Sequence, residues 1–337
     1  MSRHETIRKL SALTLIAAVG IWGAVCLGGG LRPAQAAETL VFGHILAEST
    51  AHHRNMIWAA EQIQRTFKGK YKLQVMPRGL MGTTDAQVIE GFQTGNVQMA
   101  YLSFGHLKEI YPPLSIGAGP FVFRDFHHWL AFRDSALYRE LEAGFEAKTG
   151  MKVLGLAYYG QRHVTTRTPL SGAEGLDGLA IRVPNIPIIV LTFRALGAKP
   201  VPLPFKETYQ ALKEGIVDAQ ENPLPAIKAM RFYEVTRIVN LTAHISDAQL
   251  VVMDGKRWQA MPKADQEAME KIFREASRRV TDDVREEELS LEKELPALGA
   301  VIHPVDRRPL IERIRPYLKG DYFPWPDDLY DRIQAIQ

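Results

Sequence analysis

Between Pro262 and Pro296 no proline or glycine interrupts the chain, which reads KADQEAMEKIFREASRRVTDDVREEELSLEKEL. At 1.5 Å per residue a helix over about residues 262–295 is on the order of 50 Å long, more than one small domain needs. Met269, Ile272, Phe273, Ala276 and Val280 recur at helical spacing and give it an apolar stripe. A helix of this reach predicts two domains and a bridge, and 337 residues suffice for two cores. Glu286, Glu287 and Glu288 read as a solvated face; without histidines at ligand spacing they do not suggest a metal.

The rest of the chain alternates strand and helix patterns. Residues 40–44 alternate as a strand, and a polar segment leads into a helix reaching Phe67 with Met56, Ala60, Ile63 and Phe67 on one stripe. Residues 71–76 form a second strand, 85–94 a helix capped by Thr83 or Thr84 and stopped by Gly95, and 98–102 a third strand. That order predicts an α/β unit with a largely parallel sheet. Helices near 126–133 and 135–148 precede a strand over 152–159 that Gly160 should break, so the domain crossing is expected at 159–161. A second α/β unit follows: strands 181–183, 199–201 and 217–220, helices 187–196, 206–214 and 225–232, and strands 237–241 and 249–253. The proline-rich tail after Pro296 is expected to be irregular.

The N-terminus reads as a secretory signal. Arg3, Arg8 and Lys9 precede the apolar run 10–27, and Ala34-Gln35-Ala36 gives the small-x-small cleavage pattern. Val25 before Cys26 argues against a lipoprotein. Residues 1–36 carry Arg3, Arg8, Lys9 and Arg32 against Glu5, a net +3 equal to that of the whole chain, so the mature protein is about neutral (3 − 3 = 0). Net charge therefore points to neither nucleic acid nor anionic membrane. Cys26 is the only cysteine and leaves with the signal, which excludes disulfides and thiol chemistry.

No GxSxG, HExxH or Walker loop is present, and catalysis is unsupported. The adjacent pairs His52-His53 and His127-His128 diverge on a helix and read as surface or capping residues. What remains is a set of anion-recognising groups. Arg182 lies in 175–185 (GLDGLAIRVPN) among apolar residues, just before Pro184 ends its strand. An arginine cannot lose its charge, so a buried one needs an anion, and none is close by in sequence. Arg162, Asn185 and Asn222 fall at other strand ends, where the ligand crevice of open α/β sheets lies. Two guanidinium forks and two amides aimed at one place suit a carboxylate.

At these residues the chain resembles the extracytoplasmic solute-binding subunits of tripartite ATP-independent periplasmic (TRAP) transporters, of the C4-dicarboxylate-binding type. The similarity is carried by Gly82 with 85–95, Pro120-Phe121-Val122-Phe123-Arg124-Asp125, 160–162, 176–185, 207–212 and 218–223, and spans about residues 40–253. The resemblance implies a two-domain periplasmic α/β fold with a central cleft and a long domain-spanning helix. The implied domains are 38–160 plus 248–287 and 161–247 plus 288–337, after a signal peptide over 1–37. It puts the principal carboxylate-binding arginine on Arg182, a second on Arg162 and an asparagine on Asn222. Asn185, Phe205, Gln249 and Ser103 then line the cleft, and His44, with Glu48 and His52, reads the distal part of the solute.

Three departures from the family's patterns narrow the reading. Ala219 stands where glycine is usual; Thr83 and Ser103 stand where sialic-acid binders carry acids; Asn222 stands where the cation-bridged keto-acid branch has tryptophan. No metal or other cofactor is therefore expected. The implied partners are a small-molecule carboxylate and the membrane permease subunits, with no nucleic acid, and the protein is expected to be a periplasmic monomer. A periplasmic sensor feeding a receptor kinase, or an enzyme acting on an organic acid, would share such a cleft.

Overall fold

Strand β1 (Glu38–Gly43), helix α1 (Ala51–Phe67) and strand β2 (Tyr71–Met76) start the sheet, with β1 and β2 parallel and β2 at its edge. The structure is a computed structural model and describes residues 37–80 and 85–337; the signal segment, the Thr83 or Thr84 cap and the Gly82 match lie outside them. Thr50 caps α1 by accepting from the His53 amide, and Met56, Ala59 and Ile63 bury one face against the sheet. Helix α2 (Asp85–Thr94) leads to β3 (Met99–Ser103), which pairs with β1 in parallel. Helices α3 (Phe126–Asp134) and α4 (Ala136–Thr149) are capped by Asp125 and by Ser135, whose hydroxyl accepts from the Tyr138 amide; Gly150 closes α4 in the left-handed region.

Strand β4 (Lys152–Thr166) does not stop at Gly160, contrary to the sequence expectation. It kinks there through a register shift between Tyr158 and Gly160, with Gly160 at φ +123°. A Cβ on Gly160 would lie 2.7 Å from the Pro223 Cβ and 2.9 Å from Glu288 Oε1, so both conformation and space require glycine. The chain continues through β5 (Ala180–Val183), α5 (Pro187–Ala195), β6 (Lys199–Pro202), α6 (Thr208–Glu214) and β7 (Ala219–Pro223). Glu221, Asn222 and Pro223 are thus inside β7, not beyond its end. After α7 (Leu224–Ala229), the two strands expected at 237–241 and 249–253 are one, β8 (Ile238–Met253).

The sheet is mixed rather than largely parallel, in the order β2-β1-β3-β8-β4-β7-β5-β6. β4 and β8 run antiparallel along their whole length, from Lys152 opposite Met253 to Thr166 opposite Ile238. Because both strands are long, one end of β8 (Gln249 to Met253) pairs with β3 and the opposite end of the ladder, at Arg162 to Thr165 of β4, pairs with β7. β5 is parallel to β6 and β7.

After the short α8 (Gly255–Ala260), the long helix α9 covers Lys263–Glu294, 32 residues. Met269, Phe273, Ala276 and Val280 pack in one core with Phe42, Tyr158 and the middle of the sheet. Leu291, with Leu295 just after the helix, packs in a second core with Leu212, Leu224, Ile227 and Phe232. The length of α9 follows from serving both. Glu288 is buried, not solvated: it is 3% exposed, and Oε1 accepts from the Gln161 amide at 2.5 Å. Thr281 Oγ1 accepts from the Tyr158 amide at 3.2 Å. The two amides freed by the kink in β4 are thereby satisfied by side chains of α9, and the strand can bend without orphaned donors.

The tail is also more regular than its prolines suggest. β9 (Val301–Pro304) adds to the Ile238 end of β8, and α10 (Arg308–Ile314) and α11 (Asp327–Gln334) bury Leu310, Ile314, Leu329 and Ile333. Pro309 and Pro316 sit in the first turns of helical segments and Pro326 just before α11, where a missing N–H costs nothing, while Pro304 ends β9.

Candidate functional site

A cavity of about 350 Å³ opens beside the middle of the sheet. Its floor crosses neighbouring strands: Ser103 from β3, Asp247 and Gln249 from β8, Tyr159 and Arg162 from β4, Asn222 from β7, and Arg182 from β5. Ile45 and Leu46 after β1, Pro184, Asn185 and Ile186 after β5, and Leu203, Pro204 and Phe205 after β6 make the walls. Seven of the eight residues expected to bind solute are therefore together: Arg182, Arg162, Asn222, Asn185, Phe205, Gln249 and Ser103. His44 is not among the lining residues. Its Nε2 lies 3.0 Å from His53 Nδ1, its Nδ1 accepts from the Leu46 amide, and burial lowers its pKa to about 3. It shapes the turn whose next residues, Ile45 and Leu46, reach the cavity.

The histidine pairs expected at the surface are half inside. His52 is 2% exposed, against Tyr101 and Tyr159, and His128 is 4% exposed, with its ring Nδ1 accepting from the Arg124 amide. Tyr159 links His52 to the cavity, and burial pushes its phenol up to about 12, so it stays protonated.

The two arginines are held differently. Arg162 is closed by protein. Nε and Nη2 donate to the two Glu221 carboxylate oxygens at 2.5 and 2.7 Å, and Nη1 donates to Asp247 Oδ2 at 2.9 Å. Asn222 Oδ1 takes a longer bond from Nη2, and Asn222 Nδ2 donates to Gln220. Burial alone would lower the pKa of Arg162; Glu221 and Asp247 raise it overall. Glu221 is pushed up by burial, but Arg162 and His244, whose Nε2 lies 3.2 Å away, hold it below the ordinary carboxylate value. Asp247 stays above its ordinary value, because burial outweighs its single bond from Arg162. The expectation of two open guanidinium forks is corrected: the fork of Arg162 is filled by Glu221.

Arg182 is 1% exposed and forms no ion pair with a described residue. Nε and Nη2 both donate to the Leu203 carbonyl, at 3.0 and 2.6 Å, and Phe205 stacks with its ring centroid 5.8 Å from the guanidinium carbon. One edge of the fork is pinned, and the end edge, Nη1 with the second Nη2 hydrogen, is left for the cavity. Burial lowers its pKa to about 10, with Glu221 opposing and Arg162 adding to the fall. The site thus presents one desolvated cation with a preset planar edge, the geometry that a carboxylate fits with two parallel bonds.

The family follows from comparison with known proteins. Residues 42–323 match the bacterial extracellular solute-binding proteins, family 7. The chain belongs to that family, the solute-binding proteins of TRAP transporters. It is 28% identical over 317 residues to the sialic acid-binding periplasmic protein of Vibrio cholerae, covering 94% of each chain. It is 30% identical to the 2,3-diketo-L-gulonate-binding periplasmic protein of Escherichia coli, over 90% of this chain and 93% of that one. A TRAP solute-binding protein of Roseobacter denitrificans with bound 3-deoxy-D-manno-oct-2-ulosonic acid superposes with a TM-score of 0.82 at 26% identity, over 89% of this chain and 100% of that one. These relatives bind acid sugars, so the C4-dicarboxylate subtype named by the resemblance is not established. TRAP solute-binding proteins are periplasmic, and among the described residues no helix is long and apolar enough to cross a membrane.

Asp247, Glu221, His244, Tyr159 and Leu203 escaped the sequence reading. Asp247 was within reach, because it lies two residues before Gln249 and alternation puts both on one face of β8. Leu203 acts through its carbonyl, which no side-chain pattern reveals.

Proposed function

We propose that this TRAP solute-binding protein captures an organic acid anion by its carboxylate on the end edge of Arg182 and delivers it to a membrane permease pair. The observation that supports this most is the state of Arg182: a buried cation without an acidic partner among the described residues, with one edge fixed on Leu203 and the other toward the cavity. Arg162, held by Glu221 and Asp247, braces Asn222 beside the solute instead of chelating it. Residues 38–160 with 248–287 and residues 161–247 with 288–337 act as two lobes of a monomer. β4 and β8 cross between them, and the lobes close over the bound acid.

The test is calorimetry of the mature chain against a library of organic acids, repeated with Arg182→Lys. Lysine keeps the charge but not the planar edge. Losing one charge-assisted bond, about 1.5 kcal/mol or more, weakens binding at least tenfold. Equal affinity for both proteins would show that the carboxylate lies elsewhere.

A further inference from the structure

The buried charges around the cavity balance in the empty protein and cease to balance when an anion arrives. Arg162 donates with Nε and Nη2 to Glu221 and with Nη1 to Asp247, so one buried guanidinium is set against two buried carboxylates. The surplus negative charge of this trio is offset by Arg182, which lines the same cavity and whose charge Glu221 favours. The buried histidines behind the wall add no cation. His163 is lowered to about 3 by burial, with His244 and Arg307 contributing, and His244 stays below its ordinary value because burial outweighs the pull of Glu221. His44 and His52 are also lowered to about 3 by burial, and burial keeps the phenols of Tyr158 and Tyr159 protonated. Two guanidiniums thus face two carboxylates. A solute carboxylate on Arg182 makes three, and leaves Glu221 and Asp247 to share Arg162. Two like charges on one cation in a low-dielectric wall oppose each other, and the pair is relieved by a proton.

We infer that each solute anion is bound together with one proton, taken from solvent onto Asp247. This rests on the carboxylate reading of Arg182. Asp247 is the acid that lines the cavity; Glu221 does not, and it holds two of the Arg162 bonds and faces His244 Nε2 at 3.2 Å. Asp247 faces Arg162 and Tyr159 of β4 and Glu221 of β7, and β3 carries no charged residue. Oδ2 accepts from Arg162 and Oδ1 from the Ala248 amide, and each oxygen keeps a second lone-pair position for the proton. Burial already holds this carboxyl above its ordinary value, and the incoming anion raises it further. Proton uptake therefore occurs between the empty-site and filled-site values, and affinity falls as pH rises through that interval. His106, which lines the cavity, and Glu288, which α9 sets behind β4, are the other groups that could titrate on binding.

The test is calorimetry at several pH values between about 5.5 and 8.5, where carboxylic solutes are ionised, in buffers of small and large ionisation enthalpy. The probes are D-glucuronate, L-galactonate and D-erythronate, with the tightest monocarboxylate of the wider library. The expected result is uptake of about half a proton or more per solute at its maximum, with Kd rising by up to about tenfold per pH unit over the same interval. Asp247→Asn removes the surplus charge, so the heat becomes independent of buffer and Kd nearly flat with pH. His106→Gln, His244→Gln and Glu288→Gln keep the uptake. Should Asp247→Asn fail to fold, the infrared difference spectrum of the wild type decides: a carboxylic-acid C=O band must appear on binding. Heats independent of buffer at every pH, or no such band, overturn this inference and leave the Arg182 reading standing. Uptake that survives Asp247→Asn and is lost in one of the other variants overturns it too. Binding of none of these acids overturns both readings.

Discussion

The two buried arginines allow a sharp prediction, because methionine at each should give opposite results. In Arg182→Met the folded chain loses a cation that burial disfavours: burial holds its pKa down to about 10, below the ordinary guanidinium value, which corresponds to about 3 kcal/mol. Against this gain, the Leu203 carbonyl loses its two donors, which costs about 1–3 kcal/mol. The terms nearly cancel, so the ligand-free protein should melt within about 3 °C of the wild type. Binding fares differently, since two charge-assisted bonds to the carboxylate go at once; a loss of about 3 kcal/mol or more is a hundredfold or more in Kd. Arg162→Met leaves Glu221 and Asp247, 0% and 3% exposed, without their cation. Breaking such a buried pair costs about 3–5 kcal/mol, or about 5–10 °C for a chain of this size. Differential scanning fluorimetry of the ligand-free variants, with calorimetry on the tightest acid, separates the two effects. Arg182→Met binding within tenfold of wild type, or Arg162→Met melting like wild type, would refute the division of roles.

Two further outcomes follow from the same geometry. Phe205→Ala removes the ring stacked on Arg182; at about 0.5–2 kcal/mol for a desolvated cation–π contact, the acid should bind roughly threefold to thirtyfold more weakly, and Phe205→Trp should retain affinity, as calorimetry would show. Glu288 is raised by burial from 4.5 to about 7, with the Gln161 amide and Arg285 pulling back. The folded state then binds the proton that the unfolded chain releases, so stability falls as pH rises from about 4.5 through 7, by up to about 3 kcal/mol. Urea unfolding at pH 5 and pH 8 should show that difference, and Glu288→Gln, which keeps an acceptor for the Gln161 amide, should reduce it. An unchanged slope in the variant would place the titration elsewhere.

What the residues dictate locally was legible without the fold. Gly95 ends α2 where the chain needs a positive φ, and the proline- and glycine-free run after Pro262 gives a helix that serves two cores. Arg182 could be singled out because guanidinium cannot discharge and its own strand offers no acid. The fate of Arg162 could not, because Glu221 and Asp247 stand 59 and 85 residues away and meet it only when β7 and β8 line up beside β4. The same limit explains the strand expected to stop at Gly160. A glycine ends a strand when its neighbours' amides turn to water, but here Thr281 and Glu288, 123 and 127 residues from the amides they satisfy, make it worthwhile for the strand to bend and continue. The sequence by itself determined that a cation must wait for an anion at Arg182. Tertiary structure alone decided which arginine is open, since a hydrogen-bonding edge is free or filled according to groups that the chain brings from afar.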